Sequence, residues 1–71
     1  MADDNDDIQT EFDAICGIME EVDGYSVEEV HGLVERIETL EAKVKTSEHP
    51  RKKVLLFRLK KCREFCQFIL E

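Results

Sequence analysis

The chain has 71 residues, 42% of them hydrophobic and 38% charged, with a formal net charge of −7. That length bounds it to one small core, the apolar share excludes a wholly disordered chain, and no uninterrupted apolar stretch is long enough to cross a bilayer. Three glycines and one proline leave few breaks. Val and Ile recur at helical rather than alternating spacing, so the sequence predicts a soluble all-α protein.

Residues 1–7, Met-Ala-Asp-Asp-Asn-Asp-Asp, carry four carboxylates and no anchoring apolar side chain. They are predicted as an acidic disordered tail, with Asp6 or Asp7 capping the helix that follows. From there Ile8, Phe12, Ile15, Met19 and Val22 recur in steps of four and three, widened by Ala14 and Ile18, and mark an amphipathic helix that stops near Gly24. Ser26 and Glu29 have the spacing of a capping box and open a second helix. Its stripe is Val27, Val30, Leu33, Val34, Ile37, Leu40 and Val44, and Pro50 places a hinge at residues 46–50.

The third helix, Arg51 to Glu71, carries a seam of Leu55, Leu59, Cys62, Cys66 and Ile69. Val54, Leu56, Phe57, Phe65, Phe68 and Leu70 lie outside that line, so the helix is apolar around much of its girth. The fold expected for residues 8–71 is a single antiparallel three-helix bundle. Phe57 and the other aromatics are expected to fill its core, and the alternative is that Phe65, Phe68 and Leu70 await a partner.

Charge is sorted along the chain. Residues 1–42 hold fourteen acidic side chains against one basic, Arg36, whereas residues 43–63 hold nine basic against one acidic, Glu48. Such polarity either knits the third helix to its acidic neighbours through weak surface pairs or presents opposite potentials to a partner. Nucleic acid, the obvious candidate for the basic run, and anionic membrane surfaces fit poorly as that partner, because the sequence pI is near 4.8, the rest of the domain repels polyanions, and Phe57 is expected in the core, which leaves no exposed aromatic among the basic residues.

The three cysteines, Cys16, Cys62 and Cys66, are an odd number without the spacing of a disulfide framework. With no basic-then-apolar leader pattern, they suggest a reducing, cytoplasmic setting. Cys62 and Cys66 sit one helical turn apart, as zinc ligands would, yet both fall on the apolar seam, and only Cys16, His31 and His49 remain to complete a tetrahedral set. A Cys–His nucleophile has no fixed geometry here, and no glycine-rich phosphate loop or His-Glu-x-x-His pattern occurs. The expectation is a non-enzyme with no metal and no cofactor.

From the second helix onward, Leu33-Val-Glu-Arg-Ile-Glu-Thr-Leu-Glu41, the basic entry Arg51-Lys-Lys-Val and the ending Arg63-Glu-Phe-Cys-Gln-Phe-Ile-Leu-Glu71 resemble the BAG domain over about residues 26–71. The resemblance implies a three-helix bundle that binds the ATPase domain of the seventy-kilodalton heat-shock chaperone through its second and third helices and promotes nucleotide exchange. Under it, Gln67 matches a glutamine on the chaperone face, and Glu38 or Glu41 stands for the helix-two carboxylates. The family's arginine falls here on Leu59, flanked by Arg58 and Lys60. The partner-binding surface expected from stripes and resemblance together is Glu38, Glu41, Arg58, Lys60, Lys61 and Gln67. The rival expectation is a coiled-coil-like oligomerisation or scaffold element of a larger assembly, in which the seams of helices one and three pair between chains.

Overall fold

Helical periodicity in the sequence becomes three helices in the computed structural model, which describes residues 4–71. They are α1 (Asp4–Met19), α2 (Val27–Thr46) and α3 (Lys52–Leu70), with a 3-10 turn at Val22–Gly24 between the first two. The described residues contain no strand, so the protein is an all-α helical bundle.

Helix α1 begins four residues before Ile8. The expected disordered tail is therefore helical over residues 4–7, while residues 1–3 lie outside the described residues. Asp6 and Asp7 sit within the first turn rather than at the cap, where carboxylates meet the positive end of the helix dipole. The other end falls short of Gly24. Glu20, Glu21 and Asp23 would load the negative end of a continuing helix with like charge. The chain instead tightens, with the Gly24 N–H donating to the Glu21 carbonyl and the Tyr25 N–H to the Val22 carbonyl, both at 3.0 Å. That turn folds Val22 into the core.

The capping box forms as the sequence predicts. The Glu29 N–H donates to Ser26 Oγ at 3.3 Å, and the Ser26 N–H donates to Glu29 Oε1 at 3.3 Å. Val27, expected in the stripe, is exposed at the first position of α2. At the other end Ser47 Oγ donates to the Val44 carbonyl at 2.8 Å, and Lys52 Nζ reaches across the hinge to the Lys45 carbonyl at 2.6 Å. His49 is buried in this hinge, and its Nδ1 accepts the Arg51 N–H at 3.0 Å, fixing the entry to α3.

The core unites Ile8, Phe12 and Ile15 of α1 with Val22, then Val30, Leu33, Ile37, Leu40 and Val44 of α2, and Leu55, Leu59 and Cys66 of α3. Ion pairs and packing give the directions. Glu11 meets Arg36 across α1 and α2, and Asp7 shares a groove with Lys43, so those helices run antiparallel. Glu41 meets Arg63 and Lys45 meets Lys52, so α2 and α3 do too. Ala14, expected to widen the α1 stripe, is exposed, whereas Ile18 and Met19 pack half-buried against the core.

Candidate functional site: the outer face of α3

At about 100° per residue, Leu55, Leu59 and Cys66 cluster on one side of α3 and point into the bundle. Val54, Phe57, Lys61, Phe65 and Phe68 fall within an arc of about 80° on a face turned about 140° away. The aromatics expected in the core are on this outer face. Val54 is 44% exposed, Phe57 61%, Phe65 46% and Phe68 73%. The reason is geometric. Two neighbouring helices cover only one side of a third, and the Leu55–Leu59–Cys66 side is the one they take. The result is an aromatic ridge about 21 Å long from Val54 to Phe68. Lys61 interrupts it midway, with Nζ 5.5 Å from the Phe57 ring centroid and 3.9 Å from Glu64 Oε2.

The basic residues beside the ridge are not neutralised by the acidic helices. Among the described residues, only two ion pairs cross between helices, Arg36–Glu11 at 2.7 Å and Arg63–Glu41 at 3.1 Å. Lys53, Arg58 and Lys60 form none with the described residues. Segregated charge therefore does little knitting here, and most of the positive potential of α3 faces outward.

The six residues expected at a partner surface do not come together. Lys60 and Gln67, seven residues apart and both exposed, share the flank of α3 next to Arg63 and hence next to α2. Glu38 is exposed one turn before Glu41 on the adjoining side of α2. Glu41 itself is buried, with Oε1 beside Arg63 Nη1, a Coulombic contact without the alignment of a hydrogen bond. Arg58 lies about 200° round from Lys60, exposed on the α1 side of α3 and close enough for its charge to act on the Cys16 thiol. Lys61 belongs to the ridge. The sequence offered Phe65 and Phe68 as a partner surface only as the alternative to core filling and did not offer Val54 or Phe57; the arc that all four share around Lys61 was the signal.

Burial raises all three thiols above their ordinary value of 9.0, with the Cys16 charge adding to the effect at Cys62 and Arg58 opposing it at Cys16 and Cys62. Cys66 Sγ packs 3.8 Å from Met19 Sδ. These are neutral packing groups. No group of three or more His, Cys, Asp or Glu converges as metal ligands among the described residues. An open groove of about 460 Å³ lies between α1 and α2, lined by Asp7, Thr10, Glu11, Arg36, Thr39, Leu40 and Lys43. No helix among the described residues is long and apolar enough to cross a membrane.

No protein-family model, curated protein or solved structure matches the chain.

Proposed function

We propose that this chain is a protein-interaction module that docks another protein surface through the outer face of α3. The observation that carries the reading is the ridge of Val54, Phe57, Phe65 and Phe68, exposed on one face while the opposite face fills the core. Aromatic side chains in a row give a docking surface its affinity at small entropic cost, and the flanking cations supply orientation. Work of this kind is done by shape and charge, without covalent chemistry.

The test is a triple variant, Phe57→Ser, Phe65→Ser and Phe68→Ser, compared with the unmodified chain by capture from cell lysate and by thermal melting. Loss of the captured proteins with an unchanged melt supports the ridge as the docking face. An unchanged capture, or a melt lowered as by a core substitution, refutes it.

A second reading follows the BAG resemblance, with the α2–α3 flank binding a chaperone ATPase domain and favouring its open cleft. In its favour, Glu38, Lys60 and Gln67 are exposed on adjoining sides of α2 and α3. Against it, Glu41 is committed to Arg63 and Arg58 lies on the α1 side of α3. Recovery of a seventy-kilodalton chaperone that ATP releases, lost in Lys60→Ala/Gln67→Ala and retained in the ridge variant, would favour it over the ridge.

A further inference from the structure

The order of residues along the ridge is symmetric about its centre. Val54 and Phe68 lie seven residues either side of Lys61, and Phe57 and Phe65 lie four either side. All four apolar positions are exposed, and Lys61 shares their arc. We propose that the partner this ridge fits is a second copy of the same chain, docked α3 against α3 in antiparallel sense, about a two-fold axis beside Lys61. The proposal rests on the reading of the ridge as a docking face and names its occupant.

Antiparallel pairing sets positions equidistant from the centre level with one another. Val54 then meets the second copy's Phe68, and Phe57 meets the second copy's Phe65. A foreign helix imposes no such palindrome, whereas an isologous interface requires a self-complementary patch. Charge selects the same arrangement. One flank of the ridge carries Lys53, Lys60, Glu64 and Glu71, two positive charges followed by two negative. A two-fold axis between antiparallel helices brings like flank to like flank. Glu64 therefore stands beside the second copy's Lys60, and Glu71 beside the second copy's Lys53, each offset by about 3 Å along the axis. Parallel pairing would instead set this flank against the opposite one, bringing Lys60 beside the second copy's Arg58 and Lys53 beside its Arg51, like charges in both cases.

Lys61 limits the affinity. Its ammonium group is drawn off the axis toward Glu64 and the Phe57 ring, and its methylene stem covers apolar surface. A polar residue at the centre of a helical seam fixes register at a cost in stability. One helix face about 21 Å long also offers less than the ~1,200 Å² of a standard stable complex, so the dimer is expected at micromolar affinity or weaker.

Sedimentation equilibrium of the full chain between about 10 µM and about 1 mM tests this. The mass is expected to rise from one chain to two and no further. Glu64→Lys and Lys60→Glu should each weaken self-association by about tenfold, because each sets like charges where position 60 of one copy stands beside position 64 of the other. An equimolar mixture of the two variants should associate as well as the unmodified chain, since opposite charges then meet at those positions. Lys61→Leu should tighten the dimer by about tenfold or more. All three positions are exposed, so each variant is expected to keep its helices, which circular dichroism checks. A single-chain mass throughout, a mass beyond two chains, or variants that self-associate like the unmodified chain and do not rescue one another would overturn the proposal. If the chain stays single while the triple phenylalanine variant loses a captured protein, the occupant is foreign and only the self-pairing fails. If neither changes, the docking face fails with it.

Discussion

Arg63→Ala is expected to destabilise the fold by about 2 kcal/mol, although Arg63 is a charged residue at the edge of the α2–α3 seam. Its Nη1 lies 3.1 Å from Glu41 Oε1, which at an effective dielectric constant of ~20 is about 5 kcal/mol of gross attraction. Most of that is cancelled by dehydrating Glu41, whose residue is only 7% exposed. Arg63 keeps 31% of its side chain in water, which screens the pair. Removing the guanidinium leaves the carboxylate dehydrated without compensation, so the cost is a real one, though below the ~3–5 kcal/mol of a fully buried pair. For so small a domain, 2 kcal/mol is a large share of the total and should lower Tm by roughly 8–16 °C. Urea unfolding of the unmodified chain, Arg63→Ala, Glu41→Ala and the double variant, followed by helical circular dichroism, closes a thermodynamic cycle. A coupling of about 1–2 kcal/mol is expected, and Glu41→Leu with Arg63→Met should be close to neutral. A coupling below about 0.3 kcal/mol would refute the clamp and return Glu41 to the candidates for partner binding.

Leu59→Ala should cost about 2–5 kcal/mol and unfold much of the population near room temperature, whereas Phe68→Ala should stay within about 0.5 kcal/mol; similar urea midpoints for the two would contradict the assignment of inner and outer faces. Ser26→Ala removes the acceptor for the Glu29 N–H and should lower stability by about 1 kcal/mol in the same assay. His49→Ala leaves the Arg51 N–H without its acceptor in a half-buried hinge and should cost about 1 kcal/mol, read as a lower Tm. The buried thiols ionise less readily in the folded chain than in the unfolded one. Their contribution to stability is therefore fully present below the ordinary thiol value of 9.0 and is lost as pH rises through the raised folded values. Tm should fall above about pH 9, and Cys62→Ala should reduce that fall; an identical alkaline slope in the variant would disprove the assignment.

The features most legible in the sequence were those decided within a few residues. Ser26 and Glu29 are three apart and need nothing else to form their box, and Pro50 restricts its neighbour wherever the chain goes. The ends of α1 depended on more. Its start was hidden because apolar spacing says nothing about a first turn made of Asn5, Asp6 and Asp7, and its early stop reflects the need to swing Val22 inward. The faces of α3 were the hardest to read. Leu55, Leu59 and Cys66 make one helical stripe and Val54, Phe57, Phe65 and Phe68 another, and nothing local says which of the two α1 and α2 will cover. Glu41 was hidden for a similar reason, since its partner lies twenty-two residues further on.

The same two-stripe character explains the distribution of charge. A bundle held by electrostatics would bring the cations of α3 against the acids of α1 and α2, but of Lys53, Arg58, Lys60, Lys61 and Arg63 only Arg63 makes a cross-helix ion pair with the described residues. Packing of the inner stripe suffices for the fold, so Lys53, Arg58, Lys60 and Lys61 stay exposed on or to either side of an apolar ridge that gains nothing from the fold it belongs to. Exposed aromatic surface carries a standing risk of indiscriminate association. A lysine at its centre and charges of both signs along one flank reduce that risk, because they penalise every register except those in which opposite charges meet. On the proposed reading, the outer face of α3 is a contact surface of one geometry rather than overflow from a crowded core.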